Sequence, residues 1–196
     1  MPIRKRMVRR DEPGSIRFIT ASCEHRLPLF KNDAIKAVFV ESLDAARAKH
    51  GFELFAWVLM PEHFHILIRS SKAPDGSGSL PLAPTMVSIK QGVSQRVVPH
   101  WKKVNAGILP KITRPDGSVR FWQAGGGFDR NVRDMEEFCK EVRYMHRNPV
   151  ERGLVERPED WMWSSVRWWM GKRDGELPCD PPPSERIAWD RWQGFM

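Results

Sequence analysis

The chain predicts an α+β fold in the order β-α-β-β-α-β, a ferredoxin-like antiparallel sheet, with one helix added after it. Three observations carry that expectation. Short alternating or apolar runs rich in Ile, Phe, Val and Trp stand at 15–23, 52–59 and 63–69. Apolar residues recur at helical spacing over 32–50, with a second helix expected over 85–102. A further amphipathic stretch, 134–147, holds Tyr144, the only tyrosine among 196 residues.

Taken in order, 15–23 (SIRFITASC) alternates and reads as the first strand. Asn32 or Asp33 can cap the helix that follows, which carries Ile35, Val38, Phe39, Leu43 and Ala46 on one face. FELFAWVL (52–59) and HFHILIR (63–69) are two strands separated at Met60-Pro61-Glu62, where proline breaks the ladder. The Ser/Gly/Pro-rich stretch 70–84 reads as a loop, followed by the second helix. A short strand is expected at 118–123 (SVRFWQ), then a loop, AGGGFDRN. Residues 1–170 are expected to form a single domain, and 171–196 a Pro-rich tail.

The composition, 41% hydrophobic and 29% charged, is that of a globular protein. A net charge of +8 favours a polyanionic partner, nucleic acid first. No apolar run approaches the ~20 residues of a spanning helix, and the basic N-terminus lacks the apolar stretch of a signal peptide. A cytoplasmic location and no membrane partner are therefore expected. Cys23, Cys139 and Cys179 are odd in number, far apart and in no CxxC pair, which argues against a disulfide framework and a thiolate zinc site.

His63 and His65 are two apart on a strand and share a face, while Phe64, Ile66 and Ile68 take the other. Imidazoles so spaced can ligate one metal ion, with a third residue, water or substrate completing the set. The same spacing also suits two partly exposed histidines on a solvent-facing strand.

In the last helix, Asp134 and Glu137 make a capping-box-like start, and Pro149 marks the end. Met135, Phe138, Val142 and Met145 form the apolar stripe. Tyr144 lies nearly opposite Met135 and Val142 at about 100° per residue, in line with Lys140 and Asn148 on the polar face. It is either a nucleophile or a surface or interface tyrosine, and Asn148 is either a ligand or an ordinary helix terminator before proline. A phenol, with a pKa of ~10, needs its proton removed before it attacks a phosphate. A divalent ion on the histidines would neutralise charge on that phosphate. Asn148 would add an oxygen ligand one turn beyond Tyr144.

FELFAWVLMPEHFHILI, FWQAGGGFDRN and YMHRNPVERGLVERPEDWMWSS together resemble the single-tyrosine HUH transposases, especially the REP-associated tyrosine transposases of the insertion-sequence-200-like group. The resemblance runs from about Ser15 to Trp169. It implies a ferredoxin-like catalytic core that nicks single-stranded DNA and transfers the strand through a 5′-phosphotyrosine, using Mg²⁺ or Mn²⁺. By position it makes Tyr144 the nucleophile and His63, His65 and Asn148 the metal ligands. Hairpin-forming repeats become the expected substrate, for a monomer or homodimer. The alternatives are a hairpin-binding protein without turnover, a rolling-circle initiator or relaxase-type nickase, and a metal-dependent hydrolase without a covalent step.

Arg130, Arg143, Arg147 and Arg152 surround the proposed site in sequence and are the candidates for DNA contact. Arg4, Lys5, Arg6, Arg9 and Arg10 make either a second phosphate grip or a solvated tail. Gly125-Gly126-Gly127 is either a phosphate approach or a hinge, and the Trp residues at 161, 163, 168 and 169 either stack bases or close the core. His146 and Glu62 are possible proton carriers.

Overall fold

A computed structural model describes residues 14–73, 75, 78–125, 127–172 and 174–183; the basic residues 4–10 lie outside them. Four strands form one sheet: β1 Ile16–Ser22, β2 Glu53–Leu59, β3 His63–Arg69 and β4 Phe128–Val132. Their order is β2-β3-β1-β4 and every pairing is antiparallel. The main helices are α1 Asp33–His50, α2 Leu82–Lys103 and α4 Met135–Glu151. The single turns α3 Leu109–Ile112 and α5 Val166–Trp169 are also present. The expected β-α-β-β-α-β arrangement with an added helix is what the chain forms.

Strand alternation divides the protein into two layers around the sheet. Phe64 points to the α1 side, where its ring lies 4.9 Å from that of Phe39 and 5.6 Å from that of Trp122. Phe55 points the other way, 5.6 Å from Phe138 of α4. All these rings are buried, so truncating Phe64 to Ala would cost about 3–5 kcal/mol. The Asn32 side chain caps α1 by accepting from Ala34 N at 2.7 Å, and Gly51 ends it in the left-handed region at φ 66°.

The fourth strand is not where alternation suggested. Residues 118–123 make only isolated bridges, Cys23 with Trp122 and Thr113 with Val119, and bury Phe121 and Trp122 at the end of the core. The strand is instead FDRNV, its first four residues expected as loop. Its inward residue is charged: Asp129 receives Arg17 Nε at 2.9 Å and Nη2 at 2.6 Å, both side chains being buried. A forked ion pair replaces the apolar contact that alternation rules look for. Gly127 precedes it because a Cβ there would lie 1.9 Å from the Thr20 carbonyl oxygen. The close approach explains this glycine without a hinge or a phosphate.

Strand β2 lies at the sheet edge, and later chain covers it. Leu59 N donates to Trp163 O and Ser165 N to Trp57 O, each at 2.9 Å. Within the stretch expected as tail, Leu177 and Cys179 are buried, and Asp180 N donates to Leu54 O at 2.7 Å. Trp168 and Trp169 are buried, with Trp169 Nε1 donating to Phe55 O at 2.9 Å, and Trp161 and Trp163 pack on the core's margin. Among the described residues no helix is long and apolar enough to cross a membrane.

Candidate active site

Strand β3 sets the geometry of the site. His63 and His65 share the face opposite Phe64, and both are buried. Their Nε2 atoms are 3.0 Å apart. Each ring has a partner on its other nitrogen. Glu62 Oε1 lies 3.1 Å from His63 Nδ1, and Thr20 Oγ1, on neighbouring β1, lies 2.6 Å from His65 Nδ1. Burial lowers the His65 imidazole to about 3, with His63 and Arg26 adding to the effect. His63 is also lowered by burial, against the opposing pull of Glu62. Both rings are therefore neutral near pH 7, the form in which imidazole binds a metal.

Helix α4 crosses this face and supplies the remaining groups. Its Asp134 cap accepts from Glu137 N at 2.8 Å, as the capping pattern predicted. The expected end at Pro149 is corrected: the helix continues to Glu151, and Arg152 N donates to Asn148 O at 3.0 Å. Proline costs the helix its own N–H bond there, but only in the last turn, and Asn148 and Pro149 are buried against the body of the protein. Tertiary packing thus overrides the local stop signal.

Asn148 Nδ2 lies 3.3 Å from His65 Nε2. Rotating the amide exchanges Nδ2 for Oδ1 at that place, so the side chain can offer an oxygen to the same point. Tyr144, one turn earlier, has its ring 5.4 Å from that of His65 and 6.2 Å from that of Phe18. It remains 43% exposed, so its ring is reachable from solvent. Together these residues line a cleft of about 270 Å³ with Thr20, Ser22, Arg26, Glu151 and Arg152.

Among the described residues no group of three or more His, Cys, Asp or Glu side chains is disposed to hold a metal ion. The donor set here is of another kind, two imidazoles and an amide. The Glu62 carboxyl group faces His63 Nδ1, which leaves Nε2 of that ring turned towards His65. Convergent nitrogen donors with an adjacent amide oxygen suit a divalent cation.

The four candidate arginines separate. Arg152 lines the cleft and reaches Glu62 Oε1 at 2.9 Å. Arg147 Nε lies 3.8 Å from Glu151, itself a lining residue. Arg130 is paired with Glu137 and Glu141 and lies over the Phe18 ring, and neither it nor Arg143 lines the cleft. Arg26 and Thr20 were not singled out from sequence. Thr20 had a readable signal, since it sits on the strand expected beside the histidines; Arg26 lies in an irregular turn with none. His146 faces away, buried with Nε2 2.9 Å from Ser165 Oγ, which gives it a packing role rather than proton traffic at the cleft.

A ferredoxin-like sheet with a histidine pair on a central strand and a lone tyrosine on a crossing helix is the arrangement that the resemblance to single-tyrosine HUH proteins implies. The chain is 25% identical over 114 residues to the REP-associated tyrosine transposase of Escherichia coli K12, covering 58% of this chain and 54% of that protein. A Haemophilus influenzae protein carrying the same family name is 23% identical over 152 residues, 78% of this chain and 80% of the relative. The chain thus spans about half the length of the first relative and four fifths of the second. A solved structure of a REP-associated tyrosine transposase bound to a REP hairpin shares the fold, with a TM-score of 0.64 and 19% identity over 92% of both chains. No protein-family model matches. The chain is thus similar in sequence and in fold to REP-associated tyrosine transposases, the family its motifs resemble.

Proposed function

We propose that this protein nicks single-stranded DNA beside hairpin-forming repeats and transfers the strand, with Tyr144 as nucleophile. The observation that carries the reading is convergence: Tyr144, His63, His65 and Asn148 meet at one cleft from a strand and a helix far apart in sequence. The choice of substrate is supported by a protein of like fold, a REP-associated tyrosine transposase whose structure is bound to a REP hairpin.

His63, His65 and Asn148 would hold Mg²⁺ or Mn²⁺. A bound divalent ion supplies charge neutralisation at the non-bridging phosphate oxygens. Arg26 and Arg152 add positive charge at the same cleft. The Tyr144 oxygen attacks the scissile phosphorus, its proton passing to solvent. A Tyr–O–P bond forms as the bond to the 3′ oxygen breaks, and that oxygen takes up a proton. The 5′ end stays on the protein, and the phosphodiester energy is kept. A 3′-hydroxyl can later reverse the step, which joins strands without an outside energy source.

The test is a denaturing gel with a hairpin oligonucleotide labelled 3′ of the cut. The protein should carry the label, and Tyr144→Phe should lose it while still binding the hairpin. A hydrolase would release label without an adduct, and a binding protein would do neither. An adduct surviving in Tyr144→Phe would show that another residue attacks.

A further inference from the structure

Glu62 stands between the β2–β3 turn and the first histidine, and one of its oxygens serves two elements. Oε1 lies 3.1 Å from His63 Nδ1 and forms an ion pair with Arg152 Nη1 at 2.9 Å. Arg26 Nη2 is 3.9 Å away, and the carboxyl-bearing side chain is only 8% exposed. The Glu62 carbonyl accepts from Cys23 N at 2.8 Å, which ties the same residue to the end of β1. Arg152 follows the last residue of α4, four positions after Asn148 and eight after Tyr144. Strand and helix are therefore joined at a single carboxylate oxygen.

That oxygen also selects a tautomer. A neutral imidazole has one N–H, and a carboxylate can only accept it, so the hydrogen goes to Nδ1 and the lone pair to Nε2. With the hydrogen on Nε2 instead, an N–H would point at the place where the two rings and Asn148 converge. Thr20 cannot make the same selection for His65, because a hydroxyl both donates and accepts.

We infer that Glu62 is a positioning residue that holds His63 in its Nδ1–H tautomer and, through Arg152, fastens the end of α4 to the histidine strand. Its bearing on nicking rests on the proposed function; its effect on the imidazole does not. Arg152 then acts at least in part through Glu62, not only by attracting phosphate. Outer partners of this kind orient the ring and raise the basicity of the ligating nitrogen.

Glu62→Gln tests this with little change of shape, since an amide can accept or donate and releases the choice of tautomer. Long-range ¹H–¹⁵N spectra of the metal-free protein near neutral pH should show His63 as Nδ1–H in the wild type and as a mixture in Glu62→Gln. Calorimetry with Mn²⁺ alone should show affinity reduced roughly 10–100-fold in the variant. If the variant is disturbed by the arginine left behind, Glu62→Gln/Arg152→Met removes that charge, and the mixed tautomer should persist. A variant with His63 still wholly Nδ1–H and wild-type Mn²⁺ affinity overturns the inference, as does a wild type in the Nε2–H form. Wild-type protein that binds Mn²⁺ yet forms no adduct on Tyr144 would instead sink the nicking reading and leave the tautomer result standing.

Discussion

The amide nitrogen of Asn148 lies 3.3 Å from Nε2 of His65, across 83 residues of sequence. This contact joins α4 to β3 at the cleft and places Tyr144, one turn earlier, beside the histidine ring. Removing the Asn148 side chain should therefore weaken metal binding without removing the nucleophile. In Asn148→Ala, adduct formation should fall and be partly restored by raising Mn²⁺. An activity loss insensitive to metal concentration would count against Asn148 as a ligand.

His63→Ala and His65→Ala should each abolish cleavage. Hairpin affinity should stay within about an order of magnitude, because phosphate contacts come mainly from Arg and Lys. A chelator should mimic both substitutions in the wild type. Full cleavage in chelator would end the metal reading.

Single-stranded DNA carrying a hairpin should be bound and cut in preference to a perfect duplex, with affinity falling steeply as salt rises. Competition measured at two salt concentrations checks both statements. Equal cutting of linear duplex would point to an ordinary nuclease.

The Arg17–Asp129 pair should anchor β4. Asp129→Ala removes the carboxylate from a buried guanidinium and should cost about 3–5 kcal/mol in urea unfolding. The joint replacement Arg17→Met/Asp129→Leu should recover most of that loss, because packed apolar side chains of similar volume often match a buried ion pair. A double variant as unstable as the single one would show that the pair supplies more than charge compensation.

Acid should destabilise the fold through His146. Burial lowers its imidazole to about 3, whereas an unfolded histidine titrates near ~6.5. Between those values the unfolded chain binds a proton that the folded chain refuses. The stability present above ~6.5 is lost progressively as pH falls towards about 3, by up to ~1.4 kcal/mol per pH unit for one group. His65 is lowered in the same direction, so the comparison is between wild type and His146→Gln, both in chelator. The variant should lose less stability than the wild type between neutral pH and pH ~5. Parallel curves would exclude His146 as a source of the acid sensitivity.

Sequence by itself determined what one element can encode. A strand repeats every two residues, so His63 and His65 had to share a face; a helix repeats every 3.6, so Tyr144 and Asn148 had to stand one above the other. The resemblance carried by MPEHFH and YMHRNPV pointed to the same family whose name the similar proteins carry. Tertiary structure alone decided which faces meet. It placed the tyrosine helix over the histidines, ran α4 through Pro149, and made a strand of FDRNV by burying Arg17 on Asp129. It also separated Arg152, at the cleft, from Arg130, held by Glu137 and Glu141. The physical reason is common to these cases: periodicity belongs to the local chain, whereas a buried charge or a helix-borne proline is acceptable only with partners that distant residues bring.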